Sequence, residues 1–280
     1  MDNQNRSIWI GGIVLACVVV GLGIYYFFFY QPAKEPVPVG KPAIKEPLPP
    51  PSEKAAKEEE KEVSQLPPVE LNQSDELVRQ QAKDLSSHPK WAIWLKIKDL
   101  IRRMTAAVDN IAQGLSPRAD LGFLAPQKGF TVLKKDGKLY LDPRSYHRYN
   151  IVADVFHSLD AEASVKVYKL LKPLFQKAYR ELGYPDREFQ EALIQAMVEL
   201  LRTPVVKGEI LLEEEEGVVT YQMADYSLEN LHEAQKHLLR MGPENIRKIQ
   251  GKLREMAQAL GVPENQLPKP REYTTGPKGS

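Results

Sequence analysis

One cysteine, Cys17, among 280 residues leaves no intramolecular disulfide and no thiolate set for a zinc site. Charge of neither sign is in excess. Thirty-eight Lys and Arg face 37 Asp and Glu, for a formal net charge of +1, so the basic surplus of a nucleic-acid binder is missing and no nucleic-acid partner is expected. The patterns G-x-x-x-x-G-K-[ST], G-x-G-x-x-G and G-x-S-x-G are absent, which removes phosphate-cradling loops and the nucleophile elbow. Histidine is sparse, at five residues. The nearest thing to a metal motif is His232-Glu233-Ala234-Gln235-Lys236-His237. A metalloprotease helix sets two histidines four apart on one face, whereas these are five apart, about 140° round a helix. His88, His147 and His157 stand alone in the sequence. No metal ligand, no cofactor and no catalytic residue is therefore assigned, and the reading leans away from an enzyme.

Long apolar runs are confined to one place. From Ile8 to Tyr30 there are 23 residues without a charge, 19 apolar or aromatic and four glycines. As a helix this stretch rises about 34 Å, enough to cross a hydrocarbon core of about 30 Å. Trp9 at one end and Tyr25 to Tyr30 at the other resemble interfacial belts. The run is too long, and its leader too weakly basic, for a cleaved signal peptide. Val14-Leu15-Ala16-Cys17 faintly resembles a lipobox, but the apolar residues continue well past Cys17. The reading is a cytoplasmic leader, 1–7, and an uncleaved transmembrane helix, 8–30. Lys34, Lys41 and Lys45 after the span mildly oppose an N-in orientation. A short leader and a large following domain favour it, since such domains translocate regardless of charge. Gly12-x-x-x-Ala16 and Cys17-x-x-x-Gly21 are small-residue pairs that suggest a weak homodimer through this helix.

Proline, in turn, is concentrated: 10 of its 22 occurrences lie in residues 31–75, alongside the charged run Glu53–Glu62. Such a composition cannot bury enough apolar surface to offset ordering entropy, so a disordered Pro/Glu/Lys-rich linker is expected.

Residues 76–262 carry the periodicity of a folded domain. Ser74 and Asp75 cap a helix to about Leu85, and Pro89 opens a long one whose stripe is Trp94, Ile97, Ile101, Met104, Val108 and Ile111. Asp136-Gly137 between apolar runs signals a hairpin with a primed turn. Asp142-Pro143 and Asp160 begin two further helices, the second carrying Pro173 and closing at Gly183. Pro185-Asp186 opens another, which Pro204 stops. Residues 209–212 and 218–222 read as a second hairpin across Glu213–Gly217, a solvated acidic tip that a basic partner or a weak calcium ion could meet. Two helices breaking at Gly242-Pro243 finish the domain, and 263–280 is expected to be a disordered tail. The fold class is mainly α (α+β), a multi-helix domain with two small β-hairpins.

Val108-Asp109-Asn110, Leu141-Asp142-Pro143 with Tyr146 and Tyr149, Glu181 to Asp186, and Leu239-Arg240-Met241-Gly242-Pro243-Glu244-Asn245 resemble, in order, the blocks of the bacterial family called domain of unknown function three-zero-one-four. That resemblance covers most of residues 90–260. It implies a single-span protein of bacteria with two membranes, anchored in the inner membrane with its domain in the periplasm, and it implies no activity. Asn110 to Gly114 departs from relatives, which tend to carry a basic segment there.

Within these blocks the binding candidates are Asp109, Asn110, Tyr146, Arg148, Tyr149, Arg240, Glu244 and Asn245. Amphipathic aromatics suit binding surfaces, though they also finish cores. Asp142, Asp160 and Asp225 sit where helix N-caps belong. The expected function is an inner-membrane-anchored periplasmic interaction or scaffold module of the cell envelope, its partners the membrane and an envelope protein or glycan. The alternative is a periplasmic enzyme or binding protein for a polymer such as peptidoglycan, with Asp109, Glu181 or Glu244 as carboxylates. Glycoside hydrolysis would need two of them ~5–5.5 Å or ~6.5–9.5 Å apart.

Overall fold

A single stripe of buried residues on the last long helix, Ile246, Ile249, Leu253, Met256 and Ala257, organises most of what surrounds it. The computed structural model describes residues 69–214 and 220–275, all within one unit, Ser52–Ser280. The expected leader, transmembrane helix and nearly all of the linker lie outside the described residues. Among the described residues no helix is long and apolar enough to cross a membrane.

The helices are α1 (Ser74–Ala82), α2 (Pro89–Trp94), α3 (Leu100–Ala112), α4 (Asn150–His157), α5 (Ala161–Glu181), α6 (Phe189–Leu201), α7 (Tyr226–Glu229), α8 (Glu233–Leu239) and α9 (Pro243–Ala259). The strands are β1 (Val132–Lys135), β2 (Lys138–Leu141), β3 (Val205–Lys207), β4 (Leu211–Glu214), β5 (Tyr221–Met223) and β6 (Glu272–Thr274). The domain is mainly helical with a small antiparallel sheet.

The long helix expected from Pro89 through Ile111 is two helices. The chain breaks at 95–99, where Asp99 is left-handed at φ 59°. The break is held by α1: Asp75 accepts the backbone N–H of Asp99 and of Leu100 at 2.9 Å each, and Arg79 donates to the carbonyls of Leu95 and Ile97. One helix thus caps the end of one helix and the start of the next, supplying the partners that continued helix would have supplied. An apolar stripe cannot report this, because its period continues across the break.

Asp160 caps α5 through the Ala163 N–H at 2.8 Å, and α5 runs unbroken past Pro173 to Glu181. α6 starts at Phe189 rather than at Pro185-Asp186. Its first turn is set from α5, where the Gln176 amide accepts the Phe189 N–H at 2.9 Å and donates to the Arg187 carbonyl at 2.7 Å.

The Asp136-Gly137 turn has both residues at positive φ, 51° and 74°, as a primed two-residue turn requires. The two expected hairpins join into one sheet of order β1-β2-β4-β5, with Tyr140 opposite Leu211. Residues 215–219, the acidic tip, lie outside the described residues. The expected tail carries a strand: β6 pairs in parallel with β3, Val206 opposite Tyr273.

Three apolar clusters result among the described residues. The main one joins α1, α3, α5, α6 and α9. The second lies under the sheet, around Leu141, Leu212, Met223 and Leu239. The third is aromatic, with Phe175 and Phe189 stacked at 5.2 Å and Tyr179 and Tyr184 at 4.7 Å.

Candidate functional site

The expected binding residues divide among four places. The first is the base of the β1–β2 hairpin. Arg148 donates to the Ser145 and Lys128 carbonyls and its guanidinium stands 5.5 Å over Phe130 and 5.3 Å over Tyr149. Cation–π contact on two rings fixes the segment that leads into β1. Phe130 and Leu133 are each 38 % exposed, so this edge of the sheet is the place where predicted site residues and exposed apolar side chains meet. Asp142 and Ser145 lock the same base to Thr131. The Arg144 guanidinium and backbone N–H hold the Asp142 carboxyl down to about 2.

The second place is a structural lock. Asn245 is 2 % exposed, and its amide nitrogen donates to the carbonyls of Met241 (2.8 Å) and Tyr146 (3.2 Å) and to Asn150 Oδ1 (3.0 Å). Tyr146 packs on Gly242, and burial pushes its hydroxyl up to about 12. Glu244 is exposed in the first turn of α9, where the helix dipole favours a carboxylate. Tyr146 and Asn245 are brought together, but as the joint between α4 and α9 rather than as a surface.

The third is a half-buried carboxylate. Asp109 accepts from Gln113 at 2.7 Å and from the Tyr184 hydroxyl at 3.3 Å. Burial raises its pKa against those hydrogen bonds and the nearby Arg187. Its neighbour Asn110 ties down the following loop by donating to Asp120 Oδ2 at 2.9 Å.

The fourth was not legible. Glu199 on α6 has a side chain only 6 % exposed and binds His232 Nδ1 at 2.7 Å. Gly114 closes on the other side of the ring: a Cβ there would lie 2.9 Å from His232 Cγ. Gln235 holds the His232 N–H and reaches the Glu199 carbonyl. The imidazole is thereby oriented, with its side chain 60 % exposed, an arrangement suited to proton transfer at Nε2. Beside it His237 meets Ser116 Oγ at 3.4 Å. Burial lowers the His237 pKa, and Arg240 and Arg118 lower it further. Arg240, a predicted binding residue, belongs here. Glu199 and His232 are 33 residues apart with no motif between them, so only the packing of α8 on α6 pairs them.

The three carboxylates considered for polymer hydrolysis have separate attachments. Glu181 is ion-paired with Arg102 at 2.7 Å, Asp109 is bound to Gln113 and Tyr184, and Glu244 lies in the first turn of α9. Among the described residues no three His, Cys, Asp or Glu converge as a metal site.

The model of a family described as "Protein of unknown function (DUF3014)" matches residues 100–257. No curated protein and no solved structure matches the chain. The matched span contains all eight of the expected binding residues, and it also contains Glu199 and His232.

Proposed function

We propose, for a chain that belongs to the DUF3014 family through residues 100–257, a single-pass, inner-membrane-anchored interaction or scaffold module whose domain works in the periplasm. The apolar run 8–30 supplies the anchor and the proline-rich segment 31–75 a tether. The observation that carries the reading is the β1 face: Phe130 and Leu133 partly exposed at a sheet edge, with Arg148 stacked on Phe130. Rigid aromatic and arginine side chains around exposed apolar surface are what binding faces use.

A photo-crosslinking residue at position 133, introduced in living cells, should trap a discrete envelope protein or glycan. The same residue at the exposed position 166 on α5 should trap none. Equal adducts from both positions, or none, would sink the proposal. Periplasmic placement has its own check: alkaline phosphatase fused to the C-terminus is active only if that end is exported.

The Glu199–His232 pair favours a second reading, an enzyme or binding protein on a periplasmic polymer such as peptidoglycan. In that reading His232 acts as general base on a water. Release of soluble fragments from purified peptidoglycan by the full chain, lost in His232→Ala, supports it. No release excludes the enzyme.

A further inference from the structure

The two edges of the four-stranded sheet are not equivalent. On β5 the Met223 N–H is taken by Glu229 Oε2 at 2.8 Å. β1 has no such cover among the described residues. Its register shows which backbone groups are open. Val132 stands opposite Leu141, whose own N–H is given to the Ile210 carbonyl on the far side. Antiparallel pairing alternates between residues that exchange hydrogen bonds and residues that point away. Leu133 and Lys135 therefore bond toward β2, and the N–H and C=O of Val132 and Lys134 point out from the sheet.

The charged side chains around this open edge are mostly cationic, with Asp136 in the turn, Glu209 beside Lys135 and Asp142 at the base as the acidic ones. Lys128, Lys134 and Lys138 are exposed and make no ion pair among the described residues; Lys135 is paired with Glu209 at 3.3 Å. Arg148 lies at the base, its guanidinium on Phe130. Lysines on an edge strand ordinarily prevent edge-to-edge association, because a second edge of like sign is repelled. The same charges select in favour of a strand of opposite sign. Val132 and Leu133, on opposite faces of the strand, add an apolar pair beside the two cationic positions.

We propose that β1 is a strand-addition site: it takes an extended acidic segment of a partner protein, paired through the outward backbone groups of Val132 and Lys134. Main-chain hydrogen bonds supply the affinity, as in other β-augmentation modes. A carboxylate beside Lys134, next to apolar side chains beside Val132 and Leu133, supplies the selection. The inference rests on the reading of the domain as an interaction module and names the chemistry of its partner.

The test uses the full chain in detergent micelles and a short synthetic peptide alternating glutamate and valine. Hydrogen exchange at the Val132 and Lys134 amides should slow on adding it, with the amides of β2 unchanged. A lysine–valine peptide of equal length should leave both rates alone. Lys134→Glu should weaken the acidic peptide by about tenfold, the size of one lost charge contact. Val132→Pro removes an outward N–H without touching the β1–β2 ladder and should abolish protection. Proline is tolerated at such edge positions, and Lys134→Glu keeps the test open should Val132→Pro fold poorly. No protection, equal protection by both peptides, or protection that survives Val132→Pro overturns the proposal. If exchange is unchanged while a crosslinker at 133 still traps a partner, strand addition falls and the interaction module stands. If both experiments fail, both readings fall.

Discussion

The ring of Tyr146 occupies the space that a side chain on residue 242 would need: a Cβ built on Gly242 would lie 2.3 Å from Tyr146 Cγ. Gly242 also holds φ 87° and ψ 162° as the N-cap of α9, a region essentially reserved for glycine.

Gly242→Ala should therefore destabilise the domain twice over. Backbone strain there costs about 1–3 kcal/mol, and forcing the ring aside a further 1–3 kcal/mol. Urea unfolding followed by tryptophan fluorescence measures the sum. Tyr146→Ala in the Gly242→Ala background should show a coupling that recovers the steric share alone. Additive single effects would mean that the two residues do not meet in solution.

His237 gives a pH dependence with a definite sign. Its folded pKa is lowered, first by burial and then by Arg240 and Arg118, with Glu233 opposing. The unfolded chain then binds the proton more readily than the folded one, so stability rises with pH through the affected range. The domain should lose stability as pH falls below about 6.5, the ordinary histidine value, until the folded pKa is passed. Melting temperatures between pH 8 and pH 5 should fall less steeply in His237→Asn. Parallel curves for the two proteins would refute the assignment.

How much of this could be read from the residues alone depends on how far apart the partners lie. The Asp136-Gly137 turn is legible because two adjacent residues dictate its backbone. The Asp160 cap of α5 is equally local, three residues from the N–H it accepts. The break at 95–99 is not, since the groups that satisfy it come from Asp75 and Arg79 on another helix. Joining the hairpins into one sheet needs Tyr140 to find Leu211, a long-range register set by packing over the second cluster. The site divides in the same way. The block Leu239 to Asn245 is legible as a block, but that Asn245 joins Tyr146 and Asn150 is not, because those partners lie about a hundred residues upstream. The pairing of Glu199 with His232 carries no signal until α8 is laid against α6.

Asp109 should respond unlike an ordinary buried ion pair. Burial raises its folded pKa, so its charged form is held less well in the fold than in the unfolded chain. A carboxyl shifted upward contributes stability that is present below its unfolded pKa, about 3.9, and lost as pH rises through the folded value. Above the folded value that contribution is gone. Asp109→Asn keeps an acceptor for Gln113 and Tyr184 and removes the charge. It should leave the melting temperature unchanged or raise it at pH 7, and the difference from wild type should shrink toward pH 4. A clear loss at pH 7 would show that the charge is needed.

Removing residues 263–280 tests whether the C-terminal segment belongs to the fold. Leu267 is 5 % exposed in the main core, and Tyr273 packs on the second cluster while its hydroxyl donates to Asp225. The Val205 N–H donates to the Arg271 carbonyl at 2.8 Å and the Thr275 N–H to the Lys207 carbonyl at 3.0 Å. Burying a leucine is worth about 1.5–3 kcal/mol, and each backbone hydrogen bond adds about 1 kcal/mol net. Truncation also uncovers β3, where Val205 and Val206 are buried, leaving an apolar edge open to solvent. The expected loss is about 3 kcal/mol or more, a fall of about 6–12 °C in melting temperature for a domain of this size. A truncated chain that melts with wild type would mean that β6 frays from β3 in solution. A chain that melts lower but regains its stability with a peptide of residues 263–280 added in trans would show that this segment's contacts, rather than the shortening itself, supply it.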